Sequence, residues 1–286
     1  MVGPMQRQTS LTDSQALGRN RARALRMAEP ALFLQLDVLD EIEERLSLVN
    51  RSFTSPAIVT GWPQIWTNVL PNAHIIADND TLDLTPGTHD LVIHAMSLHW
   101  ADDPVGQLIQ CKRALKPDGL FLCALFGGQT LSELRAVLAE AEVAVTGGLS
   151  PRVAPMAEIR DLGALLQRAG FALPVADNYT RTVTYADAWH LMRDLRAMGE
   201  NNALATRIRN FSRPSILKKA VDLYQSSFGQ PDGRIPARFE MIYLTGWAPD
   251  DSQPKPLRPG SATARLADAL GVDETSLTGL DHKSGD

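Results

Sequence analysis

The feature that most constrains this chain is HDLVIHA, residues 89–95, an almost unbroken apolar and β-branched run bounded by polar turns. A strand of this kind is buried on both faces, which is the condition of a parallel sheet covered by helices on each side. The surroundings agree with it. AIVT (57–60) and AHIIAD (73–78) are shorter runs of the same character, and GLFLCALF (119–126) is a longer one. Between the last two strands, Asp103-Pro104 reads as an N-cap with proline at the first helical position. The helix VGQLIQCKRAL then runs to Lys116 and stops at Pro117. PDG supplies a turn, and strand, helix, turn, strand is a right-handed βαβ crossover.

The rest of the chain repeats the alternation. Leu32, Leu36, Leu39, Ile42 and Leu46 fall at three- and four-residue steps within 30–49, an amphipathic helix. TLSELRAVLAEAEVAV follows Gly127-Gly128 as a helix, with Thr130 and Glu133 at capping-box spacing. A helix through Gln167 ends at RAGF. NYTRTVTY reads as a strand, ADAWHLMRDLRAM as a helix ending at Gly199, PSILKKAVDLYQSSF as a helix, and RIPARFEMIYLTGWA as a β-rich closing segment. The Pro-rich stretch after it and the polar tail read as an extension. The expected organisation is an N-terminal helical segment 1–50, a main domain 51–250 and a partly disordered C-terminal extension 251–286.

Composition narrows the function. With 286 residues and 44% hydrophobic content, the chain can bury a sizeable core. A net charge of −5, from 28 Lys and Arg against 33 Asp and Glu, offers no global attraction for nucleic acid. No apolar run approaches the roughly 20 residues of a membrane helix, and the start lacks a secretory signal, so the chain is not expected to span a membrane. Cys111 and Cys123 have no CxxC spacing, which suits reduced thiols and a cytoplasmic setting. His94 and His99 lack metal-helix spacing and no third ligand clusters with them, so no metal site is expected. Arg19, Arg21, Arg23 and Arg26 read as the solvated basic face of a helix, with an acidic partner surface as the rival reading.

The stretch HDLVIHAMSLHWADDPVGQLIQCKRALKPDGLFLCALFGG resembles the fourth and fifth strands of class I S-adenosylmethionine (SAM)-dependent methyltransferases. Its SLHW and LKPDG elements are similar to the branch that holds the malonyl-carrier methyltransferase of biotin synthesis. FGGQTLSELR, GGLSPRVAP, DLGALLQRAGF, DLRAMGENN and RPGSATARLADAL narrow the resemblance to the methyltransferase-fold, arginine-modifying assembly factors of respiratory complex I and their bacterial relatives. The likeness covers most of residues 15–270. It implies a Rossmann-like, doubly wound, mostly parallel α/β sheet, with ligands bound outside the carboxyl ends of the strands.

On that resemblance the loop after AIVT holds the cofactor, in a pattern of an acidic residue followed by Gly-x-Gly. This chain has Val59 for the acid, Gly61, then Trp62, and Pro63 for the second glycine. A proline there adds a ring and removes an N–H. Between the first strand and HDLV, residues 61–88 offer room for one helix and one strand, where each βα unit needs about 30 residues. One strand and helix are missing, so the first half of the sheet is truncated.

The expected site residues follow. Gly61 is read as a residual cofactor contact or, in preference, a turn glycine, and Asp78 as an adenine contact or a strand-end acid. Trp62 and Trp66 plug the old pocket, bind a partner or, more commonly for tryptophan, enter the core. Ser97, His99 and Trp100 stand at the substrate mouth after the fourth strand, with His99 a candidate base or a histidine bonded to loop backbone. Gly127 and Gly128 admit a substrate backbone at the fifth strand or make a tight connection.

The expected function is that of a complex I assembly factor that binds a client subunit, with weakened or lost SAM binding, a pseudoenzyme of the methyltransferase family. The alternatives are an active SAM-dependent methyltransferase acting on a small acid or protein side chain, and the arginine hydroxylation that the resemblance implies.

Overall fold

The computed structural model describes residues 10–254. The chain divides at Asp250 into two compact units, the first of which holds every element given below. From residue 255 onward the expected C-terminal extension, RPGSATARLADAL included, lies outside the described residues.

In chain order the elements are α1 (Ser14–Leu25), α2 (Phe33–Leu48), β1 (Pro56–Thr60), α3 (Pro63–Trp66), β2 (His74–Ile76), β3 (His89–Ala95), α4 (Pro104–Ala114), β4 (Leu115–Phe126), α5 (Ser132–Thr146), α6 (Ile159–Ala169), β5 (Ala172–Tyr185), α7 (Ala188–Ala197), α8 (Pro214–Phe228) and β6 (Ile235–Trp247). A single 3-10 turn, Leu98–Trp100, follows β3. The sheet order is β2-β1-β3-β4-β6-β5. The first four strands are mutually parallel, whereas β6 runs antiparallel to both β4 and β5. A doubly wound sheet in the order 3-2-1-4-5-6 carries two strands outside the first. Here only β2 lies beyond β1, so the sheet is one strand short on the side where the sequence is short.

Burial explains why β3 is apolar throughout. Ile58, Leu91, Ile93, Leu120 and Leu122 face one core with α2, α5, α7 and α8. Their alternate neighbours Ala57, Val59, Val92, Phe121 and Cys123 face a second core with α4 and α6. Because Leu34, Val38 and Ile42 of α2 belong to the first core, the N-terminal helical segment is built into the same unit as the sheet. Both cysteines are free and buried, and burial pushes both thiols up.

Two local expectations are corrected. The turn at PDG is a bulge inside β4: α4 ends at Ala114, Leu115 already pairs with His89, and Asp118 takes φ 56° before pairing resumes at Leu120. Pro117 favours an extended Lys116, which is why the helix ends early. The capping box at Thr130 and Glu133 does not form. Thr130 Oγ1 instead exchanges hydrogen bonds with Glu240 on β6, accepting from its N–H at 3.0 Å and donating to its carbonyl at 3.1 Å. Glu133 is buried against Arg238.

Candidate functional site

Because β1, β3 and β4 are parallel and in adjacent register, their carboxyl ends lie side by side and bring Gly61, Ser97 and Gly127 onto one edge of the sheet. β1 ends at Thr60, whose hydroxyl accepts from the Trp62 N–H at 3.0 Å and turns the chain across the strand end. Trp62 and Trp66 are both fully buried, Trp66 within the first core.

The space above Gly61 is taken by Arg21 of α1. A Cβ at Gly61 would lie 2.1 Å from the guanidinium carbon, so only glycine permits this approach. Arg21 Nη1 donates to both carboxylate oxygens of Asp78, at 3.0 and 2.9 Å. The two side chains are 10% and 14% exposed, and Nε and Nη2 of Arg21 are buried without a hydrogen-bond partner. The expectation of a wholly solvated basic face is corrected here. Arg19, Arg23 and Arg26 are exposed, but residue 21 lies on the opposite side of the helix and turns inward.

Beyond β3, Met96 takes φ 48° and redirects the chain into the 3-10 turn. Ser97 is buried, its Oγ 3.5 Å from His94 Nδ1. His94 is fully buried, with Nε2 2.8 Å from Gln107 Oε1, and burial lowers its pKa below the ordinary 6.5 despite that bond. His99 is not bonded to loop backbone as expected. Its ring packs against Phe126 and Trp100, at centroid distances of 4.9 and 5.7 Å, and both ring nitrogens are buried without a hydrogen bond. The nearest charge is Glu200, whose Oε2 lies 3.6 Å from His99 Nε2. Trp100 Nε1 donates to the same oxygen at 2.8 Å. Burial pushes the Glu200 carboxyl up, but His99, Arg21 and the Trp100 bond outweigh it and hold it below the usual carboxylate range.

At the end of β4 the two glycines clear room for carboxylates of the same chain. A Cβ at Gly127 would lie 2.5 Å from Glu240 Oε2, and one at Gly128 would lie 2.3 Å from Glu158 Oε1. Glu240 is fixed in turn by the Gln129 N–H at 2.9 Å and Asn178 Nδ2 at 2.5 Å. Both glycines thus sit in a tight strand-to-helix connection.

Beside this edge lies a cavity of about 700 Å³, floored by Phe126, Leu134, Leu138 and Phe239 and walled by Trp100 and Glu200. His99 does not line it but packs against two residues that do, Trp100 and Phe126. Gln107 and Glu200 were not singled out from sequence, and Arg21 was read there only as part of a basic helix face. His94 carried a signal there, a titratable group inside an apolar strand, whereas Glu200 in MGENN carried none. Among the described residues no three or more His, Cys, Asp or Glu side chains gather as a metal site, and no helix is long and apolar enough to cross a membrane.

Residues 60–123 match the family described as Methyltransferase domain. The chain is similar to Arginine-hydroxylase NDUFAF5, mitochondrial, of Danio rerio, 38% identical over 240 residues that cover 82% of this chain and 74% of that protein. Relatives of the same name are spanned over 42% to 74% of their length. It is also similar to malonyl-(acyl-carrier protein) O-methyltransferase of Halorhodospira halophila, 36% identical over 173 residues, 60% of this chain and 57% of that one. Among solved structures, a putative methyltransferase of Bacillus halodurans superposes with a TM-score of 0.48 at 13% identity, covering 74% of this chain and 99% of that one.

Proposed function

Because the chain belongs to the NDUFAF5 family of the class I methyltransferase superfamily, we propose that it works by binding a client protein, a subunit of respiratory complex I, with its SAM site weakened or lost. The observation that carries this reading is Arg21. In this arrangement the residues present do not fit an adenosyl cofactor: the guanidinium lies directly on Gly61, where the cofactor backbone contact belongs, and it engages Asp78, the acid read for adenine. Trp62 closes the loop from within and Pro63 supplies no N–H. No step through SAM is derived. What the site's own residues do is hold α1 against the sheet edge and keep water from β1.

The active methyltransferase reading has in its favour the family match over 60–123, which spans Gly61 through Cys123. It requires Arg21 to leave Gly61. Arginine hydroxylation, the activity in the relatives' name, is a third reading, and no residue here is assigned to it. The cytoplasmic expectation rests on two unbridged cysteines, while the relatives' name includes the word mitochondrial.

Titration calorimetry with SAM and S-adenosylhomocysteine tests the cofactor half. No saturable heat and no thermal shift at ~1 mM ligand is expected, and saturable binding overturns it. Deleting the protein in its host tests the client half. Loss of assembled complex I is expected, and unchanged complex I abandons the role.

A further inference from the structure

The cavity has an apolar floor and a cationic mouth. Arg23, Arg152, Arg196 and Arg207 line it, and among the described residues Glu200 is its single lining acid. Two of the arginines are neutralised, Arg152 by Glu142 at 2.7 Å and Arg207 by Asp13 at 2.9 Å. The others are not. Among the described residues Arg23 donates to the neutral amide oxygens of Asn20 and Asn201, at 2.9 and 3.2 Å, without an ion pair, and the exposed Arg196 guanidinium has none either.

The positive surface extends past the cavity. Arg19 and Arg23 lie at i, i+4 on α1 with Arg26 at its C-cap, and Arg193 joins Arg196 at i, i+3 on α7. The two helices are neighbours, since a Cβ at Gly199, just past α7, would lie 3.2 Å from the Arg21 Cα. Arg213 adds exposed charge from the loop that carries the lining residues Arg207, Ile208, Asn210 and Ser212, and Arg209 of that loop lies 3.6 Å from Asp13. Ile208, 54% exposed, lines the cavity, and fully exposed Phe211 lies within the same loop. A chain of net charge −5 thus sets Arg23 and Arg196, which have no ion pair among the described residues, at an apolar hole with Ile208 at its lip and further exposed arginines on the adjoining segments.

We propose that this mouth docks an acidic protein segment that inserts one apolar side chain into the cavity. The proposal deepens the client-binding reading and rests on it. A free carboxylate held within the cavity leaves Arg19, Arg26, Arg193 and Arg213 without a role, whereas an extended acidic segment spans them. Charge complementarity of this kind sets encounter and orientation, and the buried apolar anchor supplies the affinity.

The test is fluorescence anisotropy with the full-length chain and a labelled Asp/Glu-rich peptide carrying one central Leu. The same peptide with Ala at that position and a uridine RNA oligomer of equal charge serve as controls. The leucine peptide binds, and its affinity falls by about tenfold or more between ~50 mM and ~500 mM salt. Arg193→Glu/Arg196→Glu, both on the exposed face, weakens it by ~10-fold or more. Met156→Trp, which narrows the cavity wall, abolishes the preference for Leu over Ala. Equal binding of the Leu and Ala peptides, RNA binding as tight as peptide binding, or indifference to the charge reversal each overturn the proposal. Its failure is separable from that of the client reading. Peptide binding with normal complex I after deletion retires the client and leaves the docking face standing. Lost complex I with no peptide binding retires the docking face alone.

Discussion

Arg21 on α1 and Asp78 beyond β2 are 57 residues apart and joined by two hydrogen bonds from one guanidinium nitrogen, at 3.0 and 2.9 Å. The pair pins the N-terminal helix to the carboxyl edge of the sheet at the point where the family places its cofactor. Nε and Nη2 of the same arginine are left without partners, so the ion pair is the main polar tie of this group.

Arg21→Ala removes one half of a mostly buried pair and leaves Asp78 uncompensated, with a loss of about 2 to 3 kcal/mol in urea unfolding. Adding Asp78→Asn to that background costs much less than it does alone. The double-mutant cycle returns a coupling of ~1 to 3 kcal/mol, and additive effects refute the tie.

Gly61→Ala drives a methyl into the Arg21 guanidinium and destabilises the chain by about 1 to 3 kcal/mol. Combined with Arg21→Ala, the same change costs less than ~0.5 kcal/mol because the obstructing group is gone. If the cost of Gly61→Ala is independent of Arg21, the glycine serves something other than this contact.

His94 gives the chain an acid-side dependence. Burial lowers its folded pKa from the ordinary 6.5, so between the two values the unfolded chain binds the extra proton. The contribution is whole above 6.5 and is lost as pH falls towards the folded value, with a slope of up to ~1.4 kcal/mol per pH unit. Urea midpoints at pH 7.5 and 5.5 should separate more for the native chain than for His94→Gln. An equal drop in both assigns the pH dependence elsewhere.

Glu142 organises the loop beside the cavity by accepting from the Ser150 N–H at 3.0 Å, the Ser150 hydroxyl at 2.7 Å and Arg152 at 2.7 Å. Glu142→Ala frees that loop while α5 keeps its apolar face. Faster limited proteolysis within 147–155 at an unchanged far-UV spectrum is the expected result. A loop cut no faster than in the native chain would show that Pro151 and its neighbours hold it unaided.

Much of this architecture was legible before any coordinates. HDLVIHA is β3 residue for residue, PSILKKAVDLYQSSF is α8, and Asp103 caps α4 by accepting from the Gly106 N–H at 2.8 Å. These features are local: strand burial, helix period and cap chemistry are carried by residues a few positions apart. The capping box failed although it too is a local pattern, because Glu240 competed for Thr130 from 110 positions away. His99 likewise found Glu200 and Phe126 in place of loop backbone.

By itself the sequence determined the alternation of strands and helices, the short stretch between β1 and β3, and the presence of Trp62 and Pro63 where the resemblance implies Gly-x-Gly. Periodicity, spacing and the loss of an N–H at Pro63 are properties of the chain alone. Only the tertiary structure decided that one arginine of a basic helix turns inward, that Gly61 is covered by it, and that Arg23 of the same helix lines an apolar cavity with Arg196 of α7. Which face of α1 is buried depends on what the fold sets opposite it, and a guanidinium is taken from water only where a distant carboxylate is already in place to receive it.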